Sequence, residues 1–187
     1  MQWALSSDQI DMAIICKEAA GSFIKYDDNF EIVASVVKNS DVFLLKEHNP
    51  KTIGVTQNRN YQTELVNQYY KNSKAVPLIN SALMYALESN TVEGVVIDSI
   101  KALSLKGKKV STTTDGEYDT YVLVVNRSFK NTELYNRFIK LYNESVQELD
   151  DEKTLKKELE RYTGNVLSKE DMGEIKGWKL KFLELNQ

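Results

Sequence analysis

The 187-residue sequence has one cysteine, Cys16, and one histidine, His48. A single thiol excludes an intramolecular disulfide, and one thiol with one imidazole is too little for a zinc-type site, so any metal would be held by oxygens. Long hydrophobic runs are missing as well. Val42-Phe43-Leu44-Leu45 and Val122-Leu123-Val124-Val125 fall far short of the roughly 20 apolar residues of a bilayer-spanning helix. Met1-Gln2-Trp3-Ala4-Leu5 has neither a cationic flank nor a long apolar core, so no export signal is read there. Neither sign of charge is in large excess: 24 Lys+Arg against 27 Asp+Glu give −3. No basic stretch is interleaved with aromatics, which argues against a nucleic-acid partner. G-x-G-x-x-G, P-loop and His-Glu-x-x-His patterns are absent, removing the best-signalled nucleotide and zinc chemistries.

What is present is a globular composition, 42% hydrophobic and 27% charged, in a length that suits one domain or two small lobes. Short β-type runs alternate with helix-type runs, which predicts an α/β protein with crossover helices. Strands are expected at 10–15, 30–37, 42–46, 52–56, 75–78, 94–97 and 118–126, with an edge strand at 109–113. Helices are expected from Cys16, at 61–70, at 81–88 capped by Asn80 or Ser81, and at 99–105 before Gly107; Asp115-Gly116 reads as a turn. The last third reads as helical. One amphipathic helix begins near Asn131, and a second, carrying Leu155, Leu159 and Tyr162, stops near Gly164. Ser168-Lys169-Glu170-Asp171 resembles a capping box before a final helix with Ile175, Trp178, Phe182 and Leu185. The charges of 153–161 form a solvated face.

The sequence matches itself at an offset of 82 positions, residues 4–15 against 86–97. Each copy reads as a helix end, a polar turn, an apolar residue, an acid and a buried strand. Convergence on common turn chemistry is the alternative, since αβ loops are short and polar in any α/β protein. A true repeat implies two similar α/β lobes, each with helix N-termini at the carboxyl edge of its sheet. Four segments become candidate contacts for a ligand: Cys16-Lys17-Glu18, Gln57-Asn58-Arg59-Asn60, Asn80-Ser81 and Asp98-Ser99.

Few residues suggest catalysis. Cys16, where a strand meets a helix, reads as a small buried hydrophobe rather than a nucleophile, and nothing brings His48 near it. Asp27-Asp28 and Asp150-Asp151 occupy loop or cap positions. Arg59 reads either as a bidentate clamp for a carboxylate or phosphate, beside Gln57, Asn58 and Asn60, or as half of a surface salt bridge. Tyr61 and Tyr121 stand out among the tyrosines as candidates for an aromatic wall.

Gln9-Ile10-Asp11-Met12-Ala13-Ile14, Asn39-Ser40-Asp41-Val42, Ile53-Gly54-Val55-Thr56-Gln57 and Val92-Glu93-Gly94-Val95-Val96-Ile97-Asp98 together resemble the solute-binding proteins of ABC importers, over roughly residues 1–150. The resemblance implies an α/β, two-lobed periplasmic-binding-protein-like fold of type 2 with a helical C-terminus. Residues 1–40 and 119–187 would form lobe 1, and 41–118 an inserted lobe 2, with hinges at 36–41 and 119–125. Lobe 1 would be incomplete, lacking two strand-helix units upstream of Leu5. Its implied function is capture of a small polar organic molecule by hinge closure, without catalysis or cofactor, outside the cytoplasm. An ABC permease is the implied partner, with a homodimer or strand exchange completing lobe 1. Ligand contacts are expected from Lys17, Glu18, Asn39, Ser40, Thr56, Arg59, Asn80, Asp98 and Asp119. Two alternatives share the fold: an enzyme similar to menaquinone-pathway lyases, and the effector domain of a transcription regulator.

Overall fold

A computed structural model describes residues 2–7, 9–113 and 116–186; Asp8 of the repeat and Asp115 of the expected turn lie outside them. In chain order the elements are α1 (Gln2–Ser6), β1 (Met12–Cys16), α2 (Lys17–Phe23), β2 (Phe30–Lys38), β3 (Asp41–Leu45), β4 (Thr52–Thr56), α3 (Asn60–Tyr69), β5 (Lys74–Leu78), a 3-10 turn (Asn80–Ala82), α4 (Leu83–Glu88), β6 (Gly94–Asp98), α5 (Ser99–Leu103), β7 (Lys108–Ser111), β8 (Asp119–Asn126), a second 3-10 turn (Phe129–Asn131), α6 (Glu133–Glu148), α7 (Glu152–Thr163), α8 (Lys169–Gly177) and β9 (Lys181–Phe182). Every strand expected from the sequence is present within two residues of its expected bounds. Among the described residues no helix is long and apolar enough to cross a membrane.

The chain forms two compact units. Met1–Asn39, Glu117–Tyr162 and Leu180–Gln187 make the first; Ser40–Gly116 and Thr163–Lys179 make the second. The expectation that all of 119–187 joins the first lobe differs from this at Thr163–Lys179. That segment carries α8, whose Met172 and Ile175 are buried along with Trp178. Two polar contacts tie it to the end of β7: the Thr113 hydroxyl donates to the Trp178 carbonyl at 3.0 Å, and Lys109 pairs with Glu174 at 3.2 Å.

In the first unit the sheet order is β1-β8-β2-β9, and every pairing is antiparallel. β1 and β2, both antiparallel to β8, run parallel to each other and are joined by α2, so the expected crossover helix is present with β8 inserted between its two strands. Residues of β8 alternate between two cores: Val122 and Val124 pack with Leu5, Ala13, Ile15, Ala20, Phe23 and Phe30, whereas Leu123 and Val125 pack with Val36, Tyr135, Ile139 and Leu185. Covering on both faces explains why this antiparallel strand reads as an unbroken apolar run. The final segment also differs from expectation, because α8 ends at Gly177 and Lys179 takes a φ of 57°. The chain then pairs β9 with β2, so Phe182 is in a strand and Leu185 reaches the first unit's core.

The second unit has the order β5-β4-β6-β3-β7, with β4 parallel to β5 and β6, and β3 antiparallel to β6 and β7. The strand-helix alternation holds here as well. Neither Asn80 nor Ser81 caps a helix: α4 starts at Leu83 after the 3-10 turn, and its N-cap Ala82 offers no side-chain bond. The Ser168–Asp171 capping box is present with both reciprocal bonds.

The repeat extends to the hydrogen bonds. At the same offset of 82, helices end at Ser6 and Glu88, strands span Met12–Cys16 and Gly94–Asp98, and the next helices start at Lys17 and Ser99. The Gln9 N–H donates to the Ala4 carbonyl at 3.2 Å, and the Thr91 N–H to the Ala86 carbonyl at 2.9 Å. Neighbouring strands correspond too, since β1-β8-β2 and β6-β3-β7 are both antiparallel triplets. Common turn chemistry alone does not account for matching partners on both levels.

Gly107 has a φ of +137°, and a Cβ there would meet the Leu44 Cδ1 at 2.8 Å, whereas one on Gly21 in α2 meets nothing within 4 Å. Gly107→Ala is expected to lower stability by about 1–3 kcal/mol through strain and crowding. Gly21→Ala is expected to raise it by about 0.5–1 kcal/mol. Urea midpoints followed by circular dichroism check both signs.

Candidate functional site

In the second unit α3 leaves β4 toward β5, while α5 leaves β6 toward β7 on the other side of the sheet order. A crevice between such diverging connections, at the carboxyl ends of β4 and β6, is where ligands bind in open α/β sheets. Thr56 and Asp98 end these two strands, and the register sets Asp41 of β3 directly opposite Asp98.

Asp41 has no exposed surface. One carboxylate oxygen, Oδ2, accepts from the Tyr61 hydroxyl at 2.5 Å and from Gln62 Nε2 at 2.9 Å. Gln62 in turn accepts from the Thr56 N–H at 2.7 Å, which links β3, α3 and β4 through one amide. Arg59, the N-cap residue of α3, donates from Nη1 to the Tyr61 oxygen at 3.3 Å and stands 4.0 Å from Asp41 Oδ1. The guanidinium is thus aimed by a phenol and balanced by a buried carboxylate. Ser40 Oγ, Asp41 Oδ1 and Ser99 Oγ are buried without a hydrogen-bond partner among the described residues. A buried polar atom that stays without a partner costs roughly 1–3 kcal/mol.

Asp98 caps α5, accepting on Oδ1 from the N–H groups of Ile100 and Lys101 at 3.0 and 3.2 Å. Burial raises its pKa above the ordinary aspartate value; the cap bonds oppose that shift and the neighbouring Asp41 charge adds to it. Asn80 lies exposed in the 3-10 turn that follows β5.

The first unit holds the other expected residues. Lys17 opens α2 and pairs with Asp119, at the start of β8, over 2.9 Å. Burial works against the ionised form of Asp119. The Ser35 hydroxyl and the Lys17 ammonium beside it, with the Lys17 and Lys38 charges, outweigh burial and hold the pKa below its usual value. Glu18 sits half-buried in the first turn of α2, a favourable place for a carboxylate. Asn39 takes a φ of 58° and exchanges two bonds with Tyr118, each 3.1 Å, through its own N–H and its Oδ1.

The expected contacts therefore divide. Lys17, Glu18, Asn39 and Asp119 belong to the first unit; Ser40, Thr56, Arg59, Asn80 and Asp98 belong to the second. Within the units the structure joins Lys17 to Asp119 and links Thr56 with Arg59 through Gln62, Asp41 and Tyr61. Asn39 and Asp98 have structural work holding a chain crossing and a helix start. Tyr121 pairs with Cys16 in the sheet and packs, partly buried, against the first unit's core. Asp41 and Gln62 were missed from the sequence, whereas Ser99 lay in the expected Asp98-Ser99 segment. The available signal was an acid opening the apolar run Val42-Phe43-Leu44-Leu45. Among the described residues no group of three or more His, Cys, Asp or Glu could hold a metal ion.

The structure was compared with known proteins. It matches the ligand-binding component of an ABC-type import system from Staphylococcus aureus, solved with zinc bound, with a TM-score of 0.70 and 15% identity over 97% of this chain and 70% of that one. The fold is that of periplasmic-binding-protein-like solute receptors. The periplasmic aliphatic sulphonate binding protein of Escherichia coli matches with a TM-score of 0.62 and 13% identity, over 96% of this chain and 70% of the other. A pheromone precursor/lipoprotein of the YaeC family from Enterococcus faecalis gives 0.62 and 14%, over 97% and 83%. No family model and no curated protein matches the sequence.

Opposite pH dependences follow from the two aspartates. The raised native pKa of Asp98 contributes stability that is present below the unfolded value of about 3.9 and lost as pH rises through the native value. Asp98→Asn keeps the cap, so it is expected to gain on the wild type as pH goes from 3 to 7. The lowered pKa of Asp119 contributes stability present above about 3.9 and lost as pH falls through the native value. Asp119→Asn is expected to fall behind the wild type over the same rise. Urea midpoints at four pH values separate the two trends.

Proposed function

We propose that this chain is the solute-binding component of an ABC importer, capturing a small polar organic molecule by hinge closure of its two units. The oriented guanidinium of Arg59, held by Tyr61 beside the buried Asp41 carboxylate, is the observation that carries this reading. A fork already aimed by its neighbours suits a carboxylate or sulphonate oxygen pair, because little side-chain freedom remains to be lost on binding. Similarity to a sulphonate receptor's fold is in keeping with such an anion. The ligand is bound and released unchanged, so the protein is not an enzyme under this reading. Lys17, Glu18, Asn39, Ser40, Thr56, Arg59, Asn80, Asp98 and Asp119 are the proposed contacts, and the hinges lie at 36–41 and 119–125. An ABC permease is the partner, and the protein works outside the cytoplasm. Closure is driven by contacts that exist only when both units touch the ligand.

Native mass spectrometry of the purified chain, followed by calorimetric titration with aliphatic sulphonates and amino acids, tests the proposal. One class is expected to bind and be recovered intact. Arg59→Ala is expected to weaken that binding roughly 10–100-fold, the worth of a lost charge-assisted hydrogen bond. Conversion of the ligand, or an affinity indifferent to Arg59, would refute the reading.

A further inference from the structure

The sheet of the second unit has two ends, and only one of them carries the candidate site. At the other end β4, β5 and β6 begin, at Thr52, Lys74 and Gly94, and β3 finishes at Leu45 beside the start of β7 at Lys108. The connections 46–51, 70–73, 89–93 and 104–107 therefore lie along this end. All of them belong to the continuous stretch Ser40–Gly116.

These connections and the residues bordering them hold Lys46, Lys51, Lys71, Lys74, Lys106 and Lys108 against three acids, Glu47, Glu88 and Glu93. The whole chain has a net charge of −3, so this end reverses the sign locally. All six lysines are exposed. Among the described residues none of them makes an ion pair. Lys46 reaches the Asn90 Oδ1 at 2.7 Å and the Glu88 carbonyl at 3.3 Å, and Lys108 stands 3.3 Å from His48 Nδ1. Lys109, one position further into β7, is by contrast paired with Glu174 at 3.2 Å. Ammonium groups not neutralised within the chain direct their field at what lies outside it.

The kind of charge narrows the partner. Residues 46–51, 71–74, 88–93 and 104–108 contain no arginine, so the fork that grips one phosphate or carboxylate is missing. They contain no Phe, Tyr or Trp either, so nothing is offered for bases to stack on. What remains is a row of point charges across five adjacent strand ends, about 19 Å at the usual strand spacing. Such a row suits a surface of many exchangeable anionic groups.

We propose that this end of the second unit is a docking surface for an anionic lipid bilayer, held at the phosphate headgroups without insertion. Each lysine brought to the surface contributes roughly fivefold to the partition coefficient. The surface is at the far end of the sheet from Arg59, so the bilayer and a ligand at the candidate site do not compete for the same groups.

The test is co-sedimentation of the full chain with vesicles of phosphatidylglycerol and phosphatidylcholine, 1:1, and with vesicles of phosphatidylcholine alone. In about 50 mM salt the anionic vesicles are expected to bind at least tenfold more strongly, and about 0.5 M salt is expected to release the protein. Replacing Lys51, Lys74, Lys106 and Lys108 together by Gln is expected to weaken binding at least tenfold. Removing the same charge from the first unit, with Lys25, Lys140, Lys153 and Lys157 replaced by Gln, is expected to change it less than threefold. Hydrogen exchange of the unmodified chain on anionic vesicles is expected to slow at least threefold at 46–51 and 104–108, with 150–163 unchanged, a readout that needs no variant to fold. Absence of binding, equal binding to neutral vesicles, equal loss in the two variants or unchanged exchange at 46–51 and 104–108 each overturns the proposal. Binding of inorganic polyphosphate without partition onto vesicles would assign this end to a soluble polyanion and overturn it too.

Discussion

A carboxylate without solvent contact has to be balanced by donors and by an opposite charge, or it forces its strand out of the fold. Asp41 is in that position, and the edge of the second unit is arranged around it. Tyr61 and Gln62, adjacent residues in the first turn of α3, supply the two donors; Arg59 just before them supplies the charge. This fixes where α3 begins, because all three must reach the first residue of β3. Gln62 then returns a carbonyl oxygen to the Thr56 N–H and so pins the end of β4. The raised pKa of Asp98, one strand away, is in part the electrostatic consequence of the same buried charge.

The two units use one strand-turn motif in different sheets. In the second unit the repeat sits inside a mixed sheet whose parallel half sends α3 and α5 toward opposite sides of the strand order. In the first, β1 ends the sheet and every pairing is antiparallel. Local sequence governs the helix end, the turn and the strand, and these agree in both copies down to one connecting hydrogen bond. What lies on the far side of the strand is a matter of tertiary pairing, and there the copies part.

That distinction also describes what the sequence made legible. Strand positions were readable because period-2 patterning and unbroken apolar runs are local signals. The destination of 163–179 was not, since the burial of Met172, Ile175 and Trp178 against the second unit is a long-range choice that an amphipathic pattern leaves open. Arg59 was readable as a cation beside polar residues at a helix start. Asp41 was not, because an acid before an apolar strand looks like the polar end of a turn until Tyr61 and Gln62 are brought to it. Asn80 shows the reverse error: a favoured capping residue before a helical run, displaced by a 3-10 turn that moves the helix start to Leu83.

On the proposed reading, the two cations serve different parts of binding, and their surroundings decide which. Lys17 and Asp119 form a pair with side chains 53% and 30% exposed, the kind that contributes roughly 0–1 kcal/mol. Lys17 can exchange its partner for a ligand anion at little cost, which favours capture and makes its effect sensitive to salt. Arg59 is only 20% exposed, is already oriented by Tyr61 and faces a carboxylate that has no solvent to fall back on. An anion reaching it gains from a guanidinium held in place, so the residence time of the ligand rests on Arg59 and on the Asp41 network that aims it.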